Sequence, residues 1–332
     1  MQPPWLRDLR GRLRNDLTPK SCSRLIVVGG MAAVLLSITA GASAREMVTW
    51  SGNTPEANTL LGITMMRTAC DLAPSECLER IRTTGRAQKV QRWTIAMKRA
   101  PDLIRDDALA FSQLSLHNPM LVQVDLDDFV STMKSWHLKT AGRANSLLED
   151  VAQNVKRGNP RLGFGITLYE DELNSPFVTV ISADTRALVD RVSLYLHFRR
   201  NAGKYPDYVK RVRQLFPNAV IWAGSYAYDR VDYLPCEERG SRHCNAAEEI
   251  DLYEQSLQAQ LRLLSEGTIG GLEFYPGFFG MEEKWFAWSN PRICNPKRIS
   301  ECVQNTRRMR AAAVANLSRL GFISGPPPAS PR

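Results

Sequence analysis

GFGITLYED, residues 163–171, alternates large apolar side chains with small or polar ones for the length of a strand and then turns acidic. Phe164, Ile166 and Leu168 fall on one face, and Gly165, Thr167 and Tyr169 on the other, which is the period of two that an extended backbone imposes. VSLYLHFR, residues 192–199, repeats the design, with Val192, Leu194, Leu196 and Phe198 opposing Ser193, Tyr195, His197 and Arg199. Each stretch therefore needs hydrocarbon on one side and polar surroundings on the other. A strand in a parallel barrel meets that need, because its outer face packs against helices and its inner face lines the interior.

Working outward, further runs with strand character lie at Met47–Trp50, Trp93–Met97, Met120–Asp125, Val220–Tyr226 and Ile269–Phe274, and Phe322–Ser324 would make an eighth. Stretches of helical period separate them. The clearest is Ala246–Glu266, where Ile250, Tyr253, Leu257, Leu261 and Leu264 recur at helical spacing, Asn245 and Glu248 fit a capping box, and Gly267 suits a left-handed C-terminal position. Alternating strands and helices predict α/β architecture, here a single-domain (β/α)8 barrel over residues 45–324. An open, doubly wound sheet would alternate similarly, but no glycine-rich phosphate loop follows the first strand. Residues 325–332, with Pro326, Pro327 and Pro328 together, read as a disordered Pro-rich tail.

Residues 1–44 read as a signal peptide. Arg7, Arg10, Arg12, Arg14, Lys20 and Arg24 form a basic region, an uncharged apolar stretch follows from Leu25, and Ala42-Ser43-Ala44 fits a cleavage site. Cleavage after Ala44 would leave a periplasmic or secreted protein without a stable membrane span, and the alternative is an N-terminal membrane anchor. Removing the segment lowers the formal charge from +9 to +5. The remainder lacks the dense Lys/Arg tracts of a nucleic-acid binder, so an anionic glycan or envelope lipid suits it better than nucleic acid, and a monomer is expected.

Cys22 lies in the leader, and the other six cysteines fall in three close pairs. Cys70 with Cys77, Cys236 with Cys244, and Cys294 with Cys302 are predicted to form three local disulfides in an oxidising compartment. No C-x-x-C or finger spacing to His supports zinc, and no metal or cofactor is assigned.

The inward residues of the candidate strands become polar toward their C-terminal ends, where barrel enzymes keep their active sites. Parity turns Gln123, Asp125 and Asp127 inward on one strand, and Gly271, Glu273 and Tyr275 on another. Charged and aromatic groups there need partners or solvent, which predicts a polar cleft. Asp125, Asp127, Tyr195, His197, Arg199, Tyr226, Tyr228 and Tyr275 are its substrate-binding candidates, and Trp285 and Trp288, with Phe278 and Phe279, add a sugar-stacking platform. The same groups read equally well as a structural ion-pair cluster, with Arg199 neutralising Asp171 or Glu273.

Two opposed carboxyl groups can cleave a glycosidic bond, one donating a proton and the other acting as nucleophile or base. Glu273 ends the seventh candidate strand in GGLEFYPG, residues 270–277, and the fourth ends in the acidic run Glu170-Asp171-Glu172. This layout resembles the clan of barrel glycoside hydrolases that carry an acid/base Glu after strand four and a nucleophile Glu after strand seven. The resemblance implies an exported hydrolase of poly- or oligosaccharides, with Glu273 as nucleophile and one of Glu170, Asp171 and Glu172 as acid. That clan usually has Asn before its acid, whereas Tyr169 precedes Glu170, and strand parity favours Asp171. The alternatives are a non-catalytic glycan-binding barrel of the envelope and a metal-dependent hydrolase in which Asp125, Asp127 and the acidic run hold a hard cation. G-x-S-x-G, H-E-x-x-H and P-loop motifs are absent from the sequence.

Overall fold

A computed structural model describes residues 45–50, 53–138, 140–227, 246–277 and 299–324. Eight parallel strands close in sequence order: β1 Glu46–Trp50, β2 Met65–Cys70, β3 Arg92–Met97, β4 Leu121–Leu126, β5 Gly163–Tyr169, β6 Arg191–Tyr195, β7 Val220–Tyr226 and β8 Gly271–Tyr275. Helices follow the strands, among them Pro74–Ala87, Ile104–Ser115, Ala141–Gly158, Tyr205–Leu215, Ala246–Ser265 and Ile299–Arg319. The expected (β/α)8 barrel is present.

Two strand assignments change. Met-Met-Arg-Thr-Ala-Cys at 65–70 forms β2, although only Thr68 is β-branched and a charge sits at its centre. Pairing on both sides, with β1 and with β3, holds it in place despite that weak local preference. Phe322–Ser324 is not a strand, because β8 pairs directly with β1 through Glu46–Gly271 to Thr49–Phe274 and so closes the ring. The fourth and seventh candidate strands are therefore β5 and β8. The acids named from them thus stand one place beyond the fourth and seventh strands at which the resembled clan carries its acid and nucleophile, although the separation of three strands is kept.

The alternation assigned from sequence holds within the strands. Phe164, Ile166, Leu168, Val192, Leu194, Leu272 and Phe274 pack into the apolar layer beneath the helices. That layer also takes Tyr253, Leu257, Leu261 and Leu264 from Ala246–Ser265, and Gly267 after that helix has φ +69°. Inside the barrel, Val48, Met65 and Trp222 form a small apolar plug, and the layers above it are polar. Gly165 makes room for them, since a Cβ there would run into the side chains of Asp125 and Gln123.

Cys70 at the end of β2 is bonded to Cys77 in the following helix. Cys302 is also in a disulfide, while its predicted partner Cys294 lies outside the described residues, as do Cys236 and Cys244. One of the three predicted bridges is thus seen with both its ends. The leader 1–44, the cap residue Asn245 and the tail 325–332 fall outside the described residues too. Among the described residues, no helix is long and apolar enough to cross a membrane.

Candidate functional site

Glu273 is central to the polar interior. Its side chain has no solvent exposure, and four donors surround the carboxylate. Oε1 accepts from Trp50 Nε1 at 2.6 Å, Arg67 Nη1 at 2.8 Å and the Tyr195 hydroxyl at 2.8 Å, and Oε2 accepts from Ser193 Oγ at 2.9 Å. These groups come from β1, β2 and β6, so closure of the barrel brings together residues up to 223 positions apart.

Arg67 links this carboxylate to β4. It lies 3.5 Å from Asp125 and 3.4 Å from Asp127, and donates to Thr167 Oγ1 at 2.8 Å. Burial alone would lower its pKa, but Glu273, Asp125 and Asp127 together raise it well above the usual guanidinium value. Asp125 also accepts hydrogen bonds from Thr94 and Gln123. Lys98 reaches Asp127 at 2.9 Å. Burial would raise Asp127, yet Arg67 and Lys98 outweigh it and hold the group below the ordinary carboxylate range. A guanidinium thus already stands between the two aspartates named for a hard cation.

The acidic run does not continue β5. It forms a short 3-10 turn, Glu170–Glu172, which ends the two-residue alternation. Glu170 is buried, at 6% exposure, while the Asp171 side chain is 49% exposed. Both Glu170 oxygens are used, accepting from the His197 and Phe198 amides at 2.7 and 3.0 Å and from Asn201 Nδ2 at 3.0 Å. Glu170 therefore braces the segment after β6. Asp171 lies 2.9 Å from His197 Nδ1, and that hydrogen bond lowers its pKa. Glu172 accepts from the Tyr169 amide at 3.2 Å, and burial pushes its pKa up to about 7. Glu170, Asp171 and His197 also bring one potential ligand atom each within 4.8 Å of the others.

Aromatic rings line the strand ends in an unbroken series. His197 stacks on Tyr169 with centroids 3.6 Å apart, Tyr169 meets Tyr195, Tyr195 meets Tyr226, Tyr226 meets Tyr275, and Tyr275 contacts Trp50 edge-on. The Tyr169 hydroxyl is 2.7 Å from both Tyr226 and Asp128. Burial raises the pKa of Tyr169 and of Tyr195, reinforced by Tyr226 and by Glu273 respectively. Gly224 lets this cluster close, since a Cβ there would overlap the Tyr195 ring.

Of the sequence candidates, Asp125, Asp127, Tyr195 and Glu273 meet around Arg67, and Tyr226, Tyr275 and His197 share the aromatic rim. Arg199 lies elsewhere, donating to the Tyr226 carbonyl at 2.8 Å and lying over the Tyr253 ring. The neutralising role toward Glu273 that was expected of Arg199 falls to Arg67. Tyr228, Trp285, Trp288, Phe278 and Phe279 are outside the described residues.

Trp50, Arg67, Lys98, Asp128 and Ser193 were not among the site candidates. Trp50 and Ser193 were within reach of parity, because each shares a face with the inward residues of its strand. Arg67 was hidden with β2. Asp128 has a left-handed backbone, φ 46°, which turns its side chain toward Tyr169 when parity would send it outward.

No protein-family model matches this chain, and no curated protein does. Solved structures share its fold. A glucosidase from Croceicoccus marinus aligns over 70% of this chain and 60% of its own, at 10% identity and a TM-score of 0.50. The exo-beta-1,4-mannosidase Op5Man5 from Opitutaceae bacterium strain TAV5 aligns over 70% and 52%, at 11% identity and 0.47. A family 1 b-glucosidase from Thermotoga maritima aligns over 67% and 75%, at 11% and 0.43. The chain thus spans less than two thirds of the length of the first two. At such identities the likeness carries the fold alone: this protein is a (β/α)8 barrel similar to those of glycoside hydrolases.

Proposed function

We propose that the barrel mouth binds a poly- or oligosaccharide and hydrolyses a glycosidic bond. The observation that carries this reading is the Glu273 carboxylate, held by Trp50, Arg67, Tyr195 and Ser193 beneath a continuous aromatic rim. Flat rings suit the apolar faces of a pyranose, and a carboxylate fixed below them can stabilise positive charge developing at the anomeric carbon, or attack it. Glu172 is assigned as proton donor to the leaving oxygen. Its pKa of about 7 suits a group that must hold a proton near neutrality. Glu170 is unsuited, since amide and side-chain donors occupy both its oxygens. The leader reading and the Cys70–Cys77 bridge support a periplasmic or secreted site of action.

One observation favours a second reading, in which the rim binds glycan without cleaving it: Glu273 has no solvent contact and four donors. A panel of poly- and oligosaccharides, assayed for both binding and release of reducing ends, separates the two. Turnover that vanishes in Glu273→Gln while binding persists supports hydrolysis. Saturable binding by the wild type with no turnover on any glycan selects the second reading, and unchanged turnover in Glu273→Gln refutes the assigned role.

A further inference from the structure

On the face opposite the mouth, at the N-terminal ends of β3 and β4, the Pro74–Ala87 helix and the turns leading into both strands border an open cavity of about 550 Å³. Arg82, Arg86, Lys89 and His117 line it, and among the described residues no Asp or Glu does. Trp93 and Met120 contribute hydrocarbon to the same wall. The helix approaches Trp93 closely because residue 85 is glycine, where a Cβ would run into the indole nitrogen. Glycine is a poor residue for a helix interior, so close packing beside the cavity accounts for it better than helix formation does. The Arg82 side chain is 42% exposed and pairs with Glu79 through Nη2 at 2.5 Å, while its Nε makes no hydrogen bond.

Arginine and lysine side chains gathered in one concavity repel each other, and a bound anion relieves that repulsion. We propose that this cavity binds an oxyanion, a phosphate or carboxylate, carried on a ring or short apolar body that lies against Trp93 and Met120. The volume is that of an ordinary small-molecule site. Such a group has two sources, a soluble sugar phosphate or the headgroup of an anionic lipid. The site is separate from the strand-end mouth, so the proposal stands whatever chemistry occurs there.

The test is calorimetric titration of the full chain with glucose 6-phosphate and with glucose, beside co-sedimentation with phosphatidylglycerol and phosphatidylcholine vesicles. Arg86→Glu/Lys89→Glu reverses two exposed charges at the cavity, and Lys210→Glu/Arg308→Glu makes the same change in net charge at exposed positions elsewhere. We expect saturable binding of glucose 6-phosphate or of phosphatidylglycerol vesicles that exceeds any binding of the matching neutral probe. The cavity variant should weaken it at least about tenfold, or 1.4 kcal/mol, and the control less than about twofold. Which probe binds identifies the source. No saturable binding of either anionic probe, or equal loss in both variants, overturns the proposal.

Discussion

Replacing Arg67 with Met tests whether the interior is held by one cation shared among three carboxylates. The guanidinium lies 2.8 Å from Glu273, 3.4 Å from Asp127 and 3.5 Å from Asp125. At an effective dielectric near 20, unit charges at such separations attract by about 5–6 kcal/mol each before the cost of dehydrating them. Desolvation offsets most of this, and removing one partner of a buried pair typically costs about 3–5 kcal/mol because the other is left unmatched. We expect a loss of that size at pH 7.5, read by urea unfolding through tryptophan fluorescence. The pH dependence supplies an independent check. In the wild type, Asp127 is held below its unfolded value, so its contribution is complete above that value and is lost as pH falls through the lower, folded one. Without Arg67 the same carboxylate is buried with less compensation, and the variant should lose less, relative to wild type, as the pH is lowered. Adding Glu273→Gln to Arg67→Met should recover part of the loss, since the second change removes a charge the first leaves unmatched. A loss below about 1 kcal/mol, the level of an exposed ion pair, refutes this account, as does an unaltered pH profile.

Three other outcomes follow from single contacts. Glu172 has a folded pKa of about 7 against an ordinary 4.5, so the folded chain keeps a proton that the unfolded chain has released between those values. Stability should therefore fall as pH rises through that window, Glu172→Gln should remove the slope, and the hydrolysis proposed above should decline above about pH 7 in the wild type. Glu170→Ala should cost about 1–3 kcal/mol and speed hydrogen exchange at the His197 and Phe198 amides, which lose their acceptor. Replacing Cys70 and Cys77 with Ser should lower stability by about 2.5 kcal/mol in denaturant unfolding, the loop-closure value for so short a loop.

The polar interior is balanced in its charge. Around the barrel axis, Asp125, Asp127 and Glu273 are set against Arg67 and Lys98. Nearer the N-terminal ends of the strands, Glu46 is set against Arg92 at 3.1 Å and Arg191 at 3.5 Å. Arg191 also lies over the Trp222 ring at 3.0 Å, and burial brings its pKa down to about 10, with Glu46 opposing the shift. Such a column tolerates few single replacements, because each removes a partner from a buried charge. It also provides a rigid base on which the aromatic rim at the other end can be held in a defined arrangement.

Period two was legible along β5, β6 and β8, because a strand buried on one face by helices must alternate whatever its neighbours are. Phe164, Ile166 and Leu168 could be assigned to the outer face, and Thr167, Ser193, Tyr195 and Glu273 to the inner one, from spacing alone. The barrel class was legible in the alternation of strands and helices, and the Cys70–Cys77 bridge in the short spacing of its cysteines. Tertiary structure decided what local pattern does not encode. β2 is a strand because two neighbours pair with it, not because MMRTAC favours extended backbone, so Arg67 and its role became visible only in the closed barrel. Alternation also stops where a strand stops: the turn at Glu170–Glu172 buries Glu170 and leaves Asp171 half exposed, and the left-handed Asp128 meets the Tyr169 hydroxyl. Which carboxylate is matched, braced or left with a raised pKa depends on donors brought from distant strands, and barrel closure is what brings them within hydrogen-bonding distance.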